Sequence, residues 1–131
     1  MNWIDNALNI DSQVLYLRAR RAEVLASNLA NADTPGYRAQ DIDFKSVMDQ
    51  LRSGDNLRPA SKEVTPEHFN LSDPMASSIY ERDTGKRAAN GNTVSREFEQ
   101  AQFSQNAVEY LASLRFVSGN IASLKKALRG E

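Results

Sequence analysis

Apolar residues toward the C-terminus keep a strict rhythm. Phe103, Ala107, Tyr110, Leu114, Val117, Ile121, Leu124 and Leu128 follow one another at alternating spacings of four and three. That is the a/d pattern of a coiled-coil seam, held for about three and a half heptads, and it predicts a helix from about Ser95 to Arg129. Val94, Phe98, Ala101, Val108, Leu111, Ala112 and Phe116 lie on another side of the same cylinder, which gives the helix a second apolar face. Its ends are marked as well. Asn90-Gly91 is a turn dipeptide, Ser95 is an N-cap residue, Glu97 and Glu99 suit the positive end of the macrodipole, and Lys125, Lys126 and Arg129 before Gly130 suit the other end.

The N-terminal segment repeats the design. Trp3, Ala7, Ile10, Val14, Leu17 and Val24 form one stripe, and Ile4, Leu8, Leu15, Ala22, Leu25 and Leu29 form its neighbour. Together they cover roughly 200° of a helix, interrupted by Arg18 and Arg21. A helix from about Asn6 to Asn31 is predicted, frayed at its start, where Asn2, Asn6, Asn9, Asp11 and Ser12 lower the propensity.

All four prolines fall between these segments, at positions 35, 59, 66 and 74. The chain therefore divides into an N-terminal helix over residues 1–33, a middle of turn, short helix and irregular or β-containing structure over 34–93, and a C-terminal helix over 94–131. The expected fold class is mainly α, with the two terminal helices pairing as one discontinuous, coiled-coil-like domain. At 1.5 Å per residue they would be roughly 40 and 50 Å long. Two such rods can pair along one seam but cannot cover each other's second face, and so broken a middle is too short to wrap them. The surplus apolar surface predicts burial against other chains. A plain intramolecular helical hairpin is the alternative explanation of the heptads.

The first helix runs into "NLANADTPGYRAQDIDF", residues 28 to 44. Asn31 and Asp33 are poor helix-interior residues, Thr34 is held extended by Pro35, and Pro35-Gly36 is the favoured central pair of a type II turn. Tyr37 and Phe44 flank the polar run that follows, and "DFKSVMDQL" places Phe44, Val47, Met48 and Leu51 on one side of a short helix.

Composition adds mostly exclusions. Of the 131 residues, 40% are hydrophobic and 25% charged, with sixteen basic against seventeen acidic side chains and a formal charge of −1. One globular domain fits, and no bulk charge draws nucleic acid or an anionic membrane. The absence of cysteine excludes disulfides and thiolate chemistry. The N-terminus lacks the basic and apolar regions of a cleaved signal peptide, and no window is apolar enough to span a bilayer. Asp33, Asp41 and Asp43 could hold a hard cation, but aspartates in turns more often bond backbone. His68, the one histidine, has no nucleophile motif beside it, and Arg18, Arg20 and Arg21 read as salt-bridging. Gly119 in mid-helix suggests close approach by a neighbouring helix, or is simply tolerated. No catalytic, cofactor or metal site is expected.

The motifs carry a resemblance. "NLANADTPGYRAQDIDF", with Asn31, Thr34, Pro35, Gly36, Tyr37, Asp41 and Phe44, is similar to the N-terminal signature of the bacterial flagellar axial proteins, the rod and hook family. "VTPEHF" and "NGNTVSREFEQ" resemble two further segments of its proximal-rod members, with Ser95 where aspartate is common; either residue caps a helix. The resemblance implies a structural subunit of the proximal rod, stacked helically through its terminal helices into the drive shaft that transmits torque and surrounds the export channel. It implies packing roles for Ile10, Val14, Leu17, Val24, Leu25 and Leu29 and for the C-terminal heptad. Implied partners are further copies, other rod proteins, the adaptor and membrane ring at the rod base, and the flagellar type III export apparatus, without nucleic acid or membrane insertion. A periplasmic rod reached without a cleaved signal is the implied location. A non-polymerising coiled-coil adaptor or export-related binding module is the alternative.

Overall fold

The computed structural model describes residues 2–53, 78–82 and 88–130, with the side chains of residues 2–9 left aside. The segment "VTPEHF", His68 and Pro59, Pro66 and Pro74 lie outside the described residues. The elements run α1 (Asn2–Ala30), β1 (Gln40–Ile42), α2 (Phe44–Arg52), β2 (Ile79–Glu81) and α3 (Arg96–Arg129). The class is mainly α, as the periodicity predicts, with the two long terminal helices packed together and a small sheet in the middle.

Helix α1 begins at Asn2, ahead of the expected Asn6, so the asparagine-rich start is helical. Intrinsic propensity is a weak prior that context overrides. Helix α3 begins where Ser95 stands as N-cap, yet the Ser95 side chain makes no capping bond and its hydroxyl instead donates to Glu97. It ends at Gly130 in the left-handed conformation, whose N–H bonds the Lys126 carbonyl. Gly119 meets nothing: a Cβ built there finds no atom within 4 Å. The close approach expected at this glycine does not occur among the described residues.

Strands β1 and β2 pair antiparallel with Gln40 opposite Glu81, Asp41 opposite Tyr80 and Ile42 opposite Ile79. Two flanking bonds lengthen the ladder, Arg82 N–H to Ala39 C=O at 2.7 Å and Asp43 N–H to Ser78 C=O at 2.9 Å. Asp43 then caps α2, accepting from the Ser46 N–H at 3.1 Å. One face of α2 goes inward: Val47 and Leu51 join Leu17 and Ile42 in the buried core, with Tyr16, Val24, Phe44, Met48 and Ile79 packed around them. The core therefore lies between α1, α2 and the sheet, and α3 adds little to it.

Candidate functional site

Much of what joins α3 to α1 is polar. Asp11 pairs with Asn120, Arg18 with Glu109 and Ser113, Arg21 with Gln102, and Asn28 with Glu99. Asn106 donates to the Arg18 carbonyl at 2.9 Å. On α1 these contacts fall at Asp11, Arg18, Arg21 and Asn28, in line with Val14 and Leu25; on α3 they fall at Glu99, Gln102, Asn106, Glu109, Ser113 and Asn120. Both lines have near-heptad spacing, so the two helices meet along a coiled-coil-like antiparallel seam whose contact positions are mostly hydrophilic.

Much of the apolar heptad lies beside this line, with Tyr110, Val117 and Leu124 at its edge. Phe103, Ala107, Leu114, Ile121 and Leu128 are exposed, and Tyr110, Val117 and Leu124 are half-buried. At 100° per residue, Phe103, Leu114, Ile121 and Leu128 lie roughly 40–80° round α3 from the line through Asn106. The intramolecular hairpin does not account for them. Leu111, at 56%, and Phe116, at 72% exposed, extend apolar surface to the other sides of α3. On α1 the packing residues are better covered: Leu17 and Leu25 are buried, and Ile10, Val14, Val24 and Leu29 are half-buried.

At one end of the seam the polar contacts condense into a buried cluster that ties four segments. Arg21 grips Asp41 through both carboxylate oxygens, at 2.9 and 3.0 Å. Arg82, just after β2, bonds Asp41 and Glu99 at 2.5 Å each. Glu99 is wholly buried and receives a second bond from Asn28 at 3.0 Å. Burial opposes the charge on Asp41, but the hydrogen bonds from Arg21, Arg82 and the Ile42 N–H outweigh it and hold its pKa below the usual carboxylate value. The bond to Asp41 raises the pKa of Arg21 against the opposing effect of burial. Two ring contacts frame the seam, Arg82 over Phe98 at 5.0 Å and Arg18 over Phe44 at 4.9 Å.

Beyond α1 the chain turns as its residues require. The Tyr37 N–H bonds the Thr34 carbonyl at 3.2 Å with Gly36 at φ +70°, the hydrogen bond and left-handed third residue of a type II turn. A second turn clasps it. The Gly36 N–H bonds the Asn90 carbonyl at 3.0 Å, and a Cβ on Gly91 would sit 3.7 Å from the Gly36 Cα. Asn92, almost fully buried, aims its amide at the carbonyls of Asn31, Ala32 and Thr34, at 2.8 to 3.0 Å. These carbonyls lie just beyond the last residue of α1, in the turn that leaves it. Thr93 closes the joint, its N–H to Tyr37 C=O at 3.1 Å and its hydroxyl accepting from the Ala39 N–H at 2.8 Å.

The three turn aspartates have separate duties, with Asp33 bonding Arg96, Asp41 in the cluster and Asp43 capping α2. Arg20 bonds Glu23 on α1's own surface. Of the signature residues, Asn31, Thr34, Gly36 and Tyr37 converge on the joint, Asp41 enters the charge cluster and Phe44 the core. Sequence reasoning missed Asn28, Arg82, Asn92, Glu99 and Asn106. Glu99, Gln102, Asn106, Glu109 and Ser113 do keep a polar 3/4 rhythm one position before the apolar one, a signal that hydrophobic patterning overlooks.

Residues 15–38, the second half of α1 and the turn, match the family model described as flagella basal body rod protein. The chain is 40% identical over 133 residues to the flagellar basal body rod protein FlgB of Escherichia coli K12, covering 96% of this chain and 95% of that one. It is 38% identical to the FlgB of Aeromonas hydrophila, covering 97% and 96%, and 35% identical to that of Cereibacter sphaeroides along the full length of both. With the joint in the matched segment and relatives aligned end to end, the chain belongs to the FlgB family of flagellar basal body rod proteins.

Proposed function

We propose that the protein is a non-catalytic structural subunit of the proximal flagellar rod, built into a helical array by burying the outward apolar stripe of α3 against neighbouring subunits. One observation carries this reading: Phe103, Leu114, Ile121 and Leu128 keep a coiled-coil rhythm on a helix whose partner within the chain occupies a different line. An apolar seam left exposed among the described residues is the surface expected of a subunit that completes its core on assembly. Contacts between unlike patches that fail to close into a ring generate a helix, the symmetry a shaft needs. The cross-braced joint and charge cluster suit a body that passes torque without bending at the end of α1. On this reading the subunit meets other rod proteins and the basal-body components at the rod base, occupies the periplasm, and reaches it through the flagellar export apparatus. The described helices include none long and apolar enough to cross a membrane.

The test is Leu114→Asp, made at a side chain 42% exposed. The purified variant should keep wild-type helicity and melting temperature within a few degrees, since the charge stays in water. Cells carrying it should be non-motile, with the subunit absent from isolated basal bodies. A motile strain with the variant in its rods would overturn the reading.

A further inference from the structure

We propose that Asn90 is a site of spontaneous deamidation that the closed joint holds off, so that a subunit kept with its joint open loses, with time, the means of closing it.

The chemistry is set by the sequence. Asn90-Gly91 is the only Asn-Gly pair in the chain. Glycine puts no side chain beside its own nitrogen and lets the backbone fold back on the preceding asparagine. Once the Gly91 N–H has given up its proton, the nitrogen attacks the carboxamide carbon of Asn90. A C–N bond forms, the bond to the side-chain nitrogen breaks, and ammonia leaves. One water then opens the resulting succinimide ring at either carbonyl. Opening at one gives aspartate at position 90. Opening at the other gives isoaspartate, in which the chain runs through the former side chain and the former backbone carbonyl becomes a free carboxylate. Water is the one co-reactant, and Asn90 is exposed to it.

The fold supplies the brake. The Gly91 N–H donates to the Ala88 carbonyl at 2.8 Å, and the Ala88 N–H donates to the Asn92 carbonyl at 2.9 Å. The Asn90 carbonyl accepts from the Gly36 N–H at 3.0 Å, and the Asn92 amide pins the same turn to Asn31, Ala32 and Thr34. Ring closure has to free the Gly91 nitrogen and swing the Asn90–Gly91 peptide round, so the turn must open first. The same bonds show what is lost. Isoaspartate lengthens the main chain by one methylene and displaces Gly91, where a Cβ would sit 3.7 Å from the Gly36 Cα. The carbonyl that receives the Gly36 N–H is then no longer part of the main chain, and the clasp does not re-form.

Isolated basal bodies and the subunit unfolded in guanidinium chloride, held at the same pH and temperature for days, are compared by mass spectrometry and isoaspartyl methyltransferase labelling of tryptic fragments. In the unfolded chain the fragment 88–96 should convert at least about tenfold faster than 116–125, in which Asn120 precedes the bulky Ile121. In basal bodies 88–96 should convert at least about tenfold more slowly than in the unfolded chain. No preference for 88–96 overturns the site, and equal rates in the two samples overturn the brake. The consequence for assembly rests on the function proposed above and is read separately. After protein synthesis is stopped, isoaspartate at position 90 should build up in subunits outside the rod and be at least about tenfold scarcer within it. Equal content in both overturns the claim that isoaspartate keeps the joint open. The assembly reading fails on a different result, a motile Leu114→Asp strain, which leaves the two rates standing.

Discussion

Glu99 has no exposed surface, and its carboxyl group is bonded by Arg82 and Asn28. A buried pair contributes little net stability, because desolvation cancels most of the attraction, but removing one partner leaves the other charge stranded. Arg82→Met removes the arginine from Glu99, leaving it only the Asn28 amide, and one of two arginines from Asp41, and should cost about 3–5 kcal/mol in a urea titration. Arg38→Met breaks a pair whose side chains are 58% and 54% exposed and should cost under about 1 kcal/mol. Equal costs would mean that burial does not govern these pairs. Asp41 adds a pH dependence with a definite sign. Its folded pKa is depressed, so its contribution is complete above the unfolded value of about 3.9 and is lost as the pH falls through the lower, folded value. Stability should decline with acid in that window, and Asp41→Asn, less stable at neutral pH, should show a shallower acid limb.

Helix α3 has to serve two partners from one cylinder. Its polar line meets α1, its apolar line lies outside, and neither is wide enough to mask the other. Gly119 sits in its exposed half, where an added Cβ touches nothing among the described residues. Gly119→Ala should therefore stabilise the isolated subunit by about 0.5–1 kcal/mol through helix propensity alone, read from the urea midpoint. If a neighbouring subunit approaches closely there, the same variant should enter rods less well, and the two measurements then move in opposite directions. The joint at the far end of α1 behaves differently. There two glycine turns and the Asn92 amide tie the exit of α1 to the entrance of α3 by hydrogen bonds, so rigidity comes from backbone satisfaction rather than apolar packing.

Taken whole, the molecule is anchored at one end. The core, the charge cluster and the clasped turns all lie around the second half of α1, the start of α3 and the middle elements, whereas residues 118–130 of α3 are exposed except for the half-buried Leu124. Amide hydrogen exchange on the dilute subunit should follow this gradient: slowest over residues 17–30 and 99–113, and at least about a hundredfold faster over 118–130, where local opening disrupts few contacts. Uniform protection along α3 would show that the exposed stripe is already covered in the free subunit. Incorporated subunits should lose the gradient.

The sequence by itself determined the two long helices, the break at Pro35-Gly36, the short helix after Phe44 and the surplus of apolar faces. Each follows from local rules: side-chain period, a restricted φ at proline, and the freedom of glycine at positive φ. Which line of α3 faces α1 was settled only in three dimensions. Periodicity assigns residues to a face of a helix but does not say what lies opposite, and hydrophobicity alone favours the wrong line. The choice depends on pairings between residues as distant as Arg18 and Glu109 or Arg82 and Glu99, bridged by a strand and a turn that bring four segments to one point. Those charges gain their strength from burial together, a condition that exists only once the chain has folded.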